Sequence, residues 1–389
     1  MTIALVFFTA LFVIPHVSAL SGNHGHHTTL SSILMSKSII SRGQGLLTGQ
    51  GDRSALLQAG LIQKSFRQVI IQYPENPDIQ AYISKSVDSV ISTISNATAD
   101  TKFPLDRLSS GNGLIHAWQE TGEQKHKTAL EALRTSVDLQ PRNNESGLWY
   151  YVYPNWSYLD GMYSFSPFLT FYTALYGSGN ASGWQDVERQ FDLLWQHCYH
   201  NETGLLVHGY DASKTAVWAD SITGASPHVW GRSLGWYAMA LVDTLELLRD
   251  IEEPQAKHLK HYVKTKFEDL AMAIVQARDE ATGAWWQVLD QSRRSQNYIE
   301  SSGSSMFIYS LLKGVRLGYL PRHHKSQGHG GPGNNATYTK TALRAYDYVK
   351  DTFVVDNGNG TLGWNGTVGV CSLNSTASYE VRPYLLRRV

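Results

Sequence analysis

Four segments of this chain combine aromatic, glycine and charged residues in ways that a plain amphipathic helix does not need. They are LDRLSSGNG (105–113), NWSYLDGMYSFSPF (155–168), SPHVWGRSLGWYAM (226–239) and NYIESSGSSMF (297–307). Tyr158 stands beside Asp160, and Trp230 and Trp236 bracket Arg232. Aromatic faces stack on the apolar C–H faces of sugars, while carboxylates and guanidinium groups bind hydroxyls and charged substituents. A guanidinium between two indoles can stack on one and still pair bidentately with a carboxylate. A structural salt bridge is the alternative for Arg232. Glu300 reads equally as a third pocket carboxylate or as a structural hydrogen-bond acceptor, and Asp220 in VWAD reads as structural. Most of the 11 Trp and 21 Tyr residues serve a core, but aromatics set next to charge suit carbohydrate chemistry.

The elements that must position these residues are helices. Ile83, Val87, Val90, Ile91 and Ile94 make one apolar face, Ala342, Ala345, Tyr346, Val349 and Phe353 a second, and Tyr237, Ala240, Leu241, Leu245 and Leu248 a third. The pattern predicts helices over 29–43, 57–72, 78–97, 105–120, 124–137, 158–176, 183–199, 228–250, 257–278, 300–318 and 337–353. Breakers separate them at Pro74 to Pro77, Gly177 to Gly179 and Arg322 to Asn335, the last a surface loop. The four unusual segments open the fourth, sixth, eighth and tenth helices. In a closed ring of antiparallel hairpins every second helix is inner, and all inner helices start at the same end. Their N-termini then converge on one pocket, where their partial positive charge favours an anionic ligand. An all-α fold follows, an α/α barrel with its site at one end. Length alone suggests two or three domains, yet no linker or repeated motif divides the chain.

Residues 1–19 form a short apolar run ending in Val17-Ser18-Ala19, the pattern of a cleaved signal peptide. The expected domains are therefore the signal, 1–19, and one catalytic domain, 20–389. Nine N-glycosylation sequons, starting at Asn96, Asn144, Asn155, Asn180, Asn201, Asn335, Asn359, Asn365 and Asn374, agree with secretion and with glycans on surface loops. Asn155 lies five residues before Asp160, so a glycan there would crowd the pocket, and the site is expected to be unoccupied. His24, His26 and His27 read as a flexible tail. Lys plus Arg and Asp plus Glu each number 33, which gives no electrostatic reason to expect nucleic acid or an anionic membrane as partner. Cys198 and Cys371 allow one bridge or two buried thiols.

YLDGMYSFSPF, HGYDASKTAVWAD, SPHVWGRSLGWYAMALVDTLE and WWQVLDQSRRSQNYIESSGSSMF occur in this order. With them the chain resembles the unsaturated rhamnogalacturonyl hydrolases, glycoside hydrolase family 105, over roughly Leu105 to Tyr379. The resemblance implies a six-hairpin (α/α)6 barrel. It implies that Asp160 is the general acid/base, Asp106 the second active-site carboxylate, and His208, Trp230, Arg232 and Trp236 sugar contacts. A helix-capping role is the alternative for Asp106. Many relatives have Phe-Trp-His-Lys before YLDG. Here the stretch is LWYYVYP, so Tyr150 and Tyr151 replace His and Lys and are expected near the pocket mouth, against the second sugar.

The implied reaction acts on a terminal uronate with a C4=C5 double bond, left by a lyase. A proton is delivered to C4 and water adds at C5; the hemiketal then opens and expels the remaining sugar. One carboxyl can give the first proton and accept one from water, and no cofactor or metal is expected. His208 has no second His at ligand spacing. The charge of Asp106 and partial burial are expected to keep Asp160 partly protonated. Two rivals are a hydrolase of other unsaturated or saturated uronides on the same barrel, and a non-catalytic carbohydrate-binding protein. The predicted helices number eleven, where six hairpins need twelve. Either a helix near the N-terminus is missed, or the chain, ending in EVRPYLLRRV, stops short of a closing segment.

Overall fold

The structure is a computed structural model and describes residues 24–48, 54–177, 179–321, 338–367 and 369. The signal segment, the 322–335 loop, Cys371, Asn335, Asn374 and the C-terminal EVRPYLLRRV lie outside these residues. Helices α1 (His24–Ser41), α2 (Ala55–Gln72) and α3 (Pro77–Ile91) come first, followed by a single turn, α4 (Ala97–Asp100). A 3-10 turn at Leu105–Ser110 leads into α5 (Gly111–Thr121), and then come α6 (Gln124–Asp138), β1 (Trp156–Tyr158), α7 (Gly161–Tyr176) and α8 (Ser182–Cys198). Short strands β2 (Tyr199–His200), β3 (Leu205–Leu206) and β4 (Gly209–Asp211) precede α9 (Gly231–Leu247) and α10 (Pro254–Gln276). The series ends with α11 (Ser301–Arg316), α12 (Tyr338–Phe353), β5 (Val354–Asp356) and β6 (Leu362–Trp364).

Among the described residues the long helices number eleven, each on a span the apolar spacing predicts. Boundaries differ at several ends, most at the third helix, expected over 78–97 but ending at Ile91, after which the chain turns through 92–95 before α4. The fourth begins as a 3-10 turn, in which Arg107 N donates to Pro104 O at 3.0 Å, and becomes α-helical only at Gly111. The sixth starts at Gly161 because Trp156–Tyr158 is recruited into an antiparallel pair with Gly209–Asp211. His24, His26 and His27, expected in a tail, fall in the first turn of α1.

α9 packs between α7 and α11, α7 lies beside the 105–110 turn, and that turn lies beside α2. These are the inner helices; α3, α6, α8, α10 and α12 each back onto one of them. Their composition matches the position: every residue of α9 from Gly231 to Leu245 is buried, and so is every residue of α11 from Ser301 to Val315. Helices buried on every face are enclosed by neighbours on every side, and their small residues, Gly, Ala and Ser, let those neighbours approach. The β5–β6 hairpin meets α1, where Leu362 N donates to Ser38 Oγ at 2.9 Å and Arg42 Nη1 donates to Leu362 O at 3.0 Å.

Polar residues hold the inner ring together as well. Lys313 of α11 pairs with Asp243 of α9 at 2.5 Å and with Glu246 at 2.6 Å, and Lys64 of α2 also reaches Asp243. Tyr309 donates its hydroxyl to Asp243 at 2.8 Å. A buried ion pair is tolerable only when it is fully partnered, and here three inner helices supply the partners.

Gly60 of α2 permits the close approach that sets the height of the 105–110 turn. A Cβ there would lie 2.3 Å from the carbonyl carbon of Ser109 and 2.4 Å from its oxygen. Backbone, not a pliable side chain, would have to move. Gly60→Ala is therefore expected to cost about 1–3 kcal/mol, read as a lowered thermal midpoint; an unchanged midpoint would contradict this packing.

Candidate active site

The starts of the inner helices meet at one end of the barrel. Asp106 lies in the 3-10 turn, Asp160 is the N-cap residue of α7, Trp230 that of α9 and Glu300 that of α11. Asp is favoured at N-caps because its carboxylate can accept from the first free N–H groups, yet the Asp160 side chain makes no such bond. It turns instead to α9, where Ser233 donates its hydroxyl to Asp160 Oδ2. His208 Nε2 lies 3.2 Å from the same oxygen. Asp106 does not cap either: Tyr150 donates its hydroxyl to Asp106 Oδ2 at 2.9 Å. Its other oxygen, Oδ1, is buried with no protein partner among the described residues.

Backbone bonds fasten each partner to its carboxylate. Leu105 N donates to Tyr150 O at 2.9 Å, one residue from Asp106, and Leu159 N donates to His208 O at 3.1 Å, one residue from Asp160. The β1–β4 pairing, with Tyr158 opposite Gly209, sets this second register. Tyr150 stacks on Tyr158 at 4.9 Å between centroids, and His208 sits between Tyr158 (5.1 Å) and Trp230 (4.9 Å). The pair is electrostatically coupled. Burial first, and the charge of Asp160 second, push the Asp106 carboxyl up to about 7, against the hydrogen bond from Tyr150 and the guanidinium of Arg107.

Arg232 and Glu300 form a second cluster. Glu300, 1% exposed, accepts from Gly303 N at 2.7 Å, from Ser302 Oγ and from Thr367 Oγ1 at 2.7 Å. Arg232 Nε donates to Ser302 Oγ at 2.8 Å, Nη2 to Thr367 Oγ1 at 2.8 Å and to Glu300 at 3.5 Å, and Nη1 to Gly369 O at 2.9 Å. Gly303 allows the two helix starts to touch, since a Cβ there would meet the Gly231 carbonyl carbon at 3.0 Å.

The structure thus brings Asp106, Asp160, Tyr150, His208, Trp230 and Arg232 into one neighbourhood and redistributes their expected parts. Glu300 is an N-cap acceptor and salt-bridge partner, not an open pocket carboxylate. Tyr150 lies on Asp106, not at the pocket mouth. Arg232 stacks on Trp230, its guanidinium carbon 5.1 Å from the ring centroid. Trp236, one turn deeper, is 2% exposed and packs on Tyr163 at 4.5 Å within the core, a position for packing and not for sugar contact. His208, also 2% exposed, backs Asp160. Trp230 has a buried Nε1 with no acceptor among the described residues. Asp220 closes a surface turn by accepting from Ile222 N and Thr223 N. Ser233 went unrecognised in the sequence, although it immediately follows Arg232; a hydroxyl in the first turn of an all-buried helix was its available signal. Among the described residues no group of three or more His, Cys, Asp or Glu could hold a metal ion, and no helix is long and apolar enough to cross a membrane. Cys198 is buried and carries a free thiol.

This fold and this carboxylate pair coincide with sequence kinship: the chain belongs to Glycosyl Hydrolase Family 88, whose sequence profile matches residues 59–386. The family 105 glycoside hydrolase of Clostridium acetobutylicum is 32% identical, with a TM-score of 0.73 over 89% of this chain and 92% of that one. The unsaturated glucuronyl hydrolase of Bacillus sp. GL1 is only 11% identical and has the same six-hairpin helical barrel, with a TM-score of 0.55 over 92% of this chain and 87% of that one. The 24.9 kDa protein in the picA locus of Rhizobium radiobacter is 43% identical over 117 residues, 30% of this chain. The chain spans 47% of that curated relative's length.

The raised Asp106 carboxyl makes stability depend on pH. An unfolded Asp ionises near pH ~4, so between there and about pH 7 the folded protein holds a proton that the unfolded chain has lost. Stability then falls as pH rises through that window, by up to about 4 kcal/mol for a shift of this size. Asp106→Asn removes this loss and keeps an acceptor for Tyr150. It is expected to gain thermal stability over the wild type at about pH 8 but not at about pH 4; a gain independent of pH would contradict the assignment.

Proposed function

We propose that this protein is a secreted hydrolase of unsaturated uronides. It removes a terminal 4,5-unsaturated uronate, of galacturonyl type, from the oligosaccharides that a lyase leaves from rhamnogalacturonan. The observation that carries the reading is the carboxyl pair: Asp160, held by Ser233 and His208 and free of capping duty, beside a buried Asp106 pushed up to about 7. Family membership and the relative from C. acetobutylicum support the barrel and the reaction class. The motifs shared with the rhamnogalacturonyl hydrolases support the sugar. The leader at 1–19 supports secretion, as do sequon asparagines exposed at Asn96, Asn144, Asn180, Asn201 and Asn359.

In this reading Asp160 gives its proton to C4 of the enol ether while water adds to C5, and the proton released by the water returns to the Asp160 carboxylate. The C5 hemiketal opens by breaking its ring C–O bond, and the hemiacetal left at C1 expels the aglycone. A carboxylate entering with the uronate adds a third negative charge and draws a proton onto the Asp106–Asp160 pair. Asp106 holds its own proton below about pH 7, so the proton drawn in with the substrate is the one that Asp160 delivers. Tyr150 and Arg107 oppose protonation of Asp106 and so keep the value within reach of neutral pH. Starts of inner helices beside the site favour the substrate carboxylate.

Asp160→Asn is expected to lower turnover by at least about a hundredfold while substrate still binds. The assay follows loss of the ultraviolet absorbance of the conjugated enol-ether acid, a signal that cleavage of a saturated glycoside would not produce. Near-normal turnover in this variant would overturn the assignment.

A further inference from the structure

A line of aromatic rings leaves the carboxyl pair and runs to the surface. Tyr158, tilted against His208, meets Trp218 at 6.3 Å between centroids. Trp218 meets Trp156 edge-on at 5.2 Å, Trp156 meets Tyr153 at 5.0 Å, and Tyr153 meets Tyr151 at 5.3 Å. Tyr158 is buried, whereas the four outer rings are only partly covered. Val152 lies between Tyr151 and Tyr153, and Val217 and Ile222 lie on the loop that carries Trp218; they are 53%, 84% and 77% exposed. Single exposed apolar residues need no explanation, but a run of touching, partly exposed aromatic rings joined to an active site does.

The rings are held rigidly. Trp156 lies on β1, and Trp218 is carried by the turns that follow β4. Asp211 anchors the base of that loop by accepting from Ser213 N, Ser213 Oγ, Thr215 N and Ala216 N at 2.6–2.9 Å. Gly224, at φ +80°, turns the chain back so that Asp211 N can donate to Gly224 O at 2.9 Å. Asn155 O accepts from Ala212 N at 3.0 Å and ties the Trp156 strand to the same loop. Preorganised aromatics lose little conformational entropy on binding.

We propose that this aromatic line is a binding platform for the sugar residues beyond the first one on the leaving side of the scissile bond. The proposal rests on the hydrolase reading of the carboxyl pair. Its occupant follows from continuity: the platform begins at Tyr158, two residues from Asp160, where the rest of an oligosaccharide must leave the site. Partly exposed rings, tilted or edge-on to one another, offer separate faces to successive sugars. The enzyme therefore favours longer unsaturated oligosaccharides over the disaccharide. A glycan on Asn155, next to Trp156, would cover the same surface.

The test compares kcat/KM on an unsaturated rhamnogalacturonan disaccharide and tetrasaccharide for wild type, Trp156→Ala, Trp218→Ala, and Trp156→Phe and Trp218→Phe. The tetrasaccharide-to-disaccharide ratio is expected to be well above one in wild type. It should fall by about tenfold in either alanine variant, through KM more than kcat, and recover in the phenylalanine variants. Disaccharide turnover together with a ratio near one in wild type, or a ratio that the alanine variants leave unchanged, overturns the platform and leaves the hydrolase reading standing. Failure of the wild type to act on either oligosaccharide overturns the hydrolase reading and the platform with it.

Discussion

Two neighbouring carboxyl groups, one of them buried, cannot both ionise without cost, and the architecture around Asp106 and Asp160 is organised about that repulsion. Burial and the neighbouring charge hold a proton on Asp106 up to about pH 7. Ser233 and His208 orient the other carboxylate. Each of these four residues comes from a different part of the chain, so the pair exists only when the inner helices stand at the right heights. Gly60 against Ser109, Gly303 against Gly231, and the buried Lys64–Asp243–Lys313 network set those heights.

Topology makes this possible at small cost in sequence. Antiparallel hairpins in a ring return every inner helix start to the same end, so one or two polar residues per start suffice to assemble the site. The helix bodies are left to the core, and α9 and α11 are buried along almost their whole length. The Arg232–Glu300 cluster works by the same logic at the neighbouring pair of helix starts. It ties α9 to α11 through buried hydrogen bonds and to Thr367 and Gly369 through partly buried ones.

Helix positions were legible in the sequence because apolar residues three and four apart report directly on a buried face, and the convergence of inner helix starts followed from their alternation. The parts played by individual side chains were much less legible. Glu300 reads in sequence equally as a pocket acid and as a structural acceptor, because N-capping is a matter of backbone geometry and is decided only by Gly303 N lying 2.7 Å from its carboxylate. Tyr150 was expected at the mouth because nothing local announces that its carbonyl binds Leu105 N and carries its ring to Asp106. Trp236 shares its motif with Arg232, but one helical turn takes it from the site into the core. Ser233 and the Lys64–Asp243–Lys313 network depend on contacts between distant segments and have no periodic signature.

The central claim is that the carboxyl pair serves hydration of a double bond, with Asp160 as the proton donor. Product formed in D2O containing 18O-labelled water tests it most directly. The account predicts one deuterium at C4 and the labelled oxygen at C5 of the released uronate, read by nuclear magnetic resonance and mass spectrometry. Release of the uronate with label at C1 and no deuterium at C4 would mean direct cleavage of the glycosidic bond, and would contradict the account.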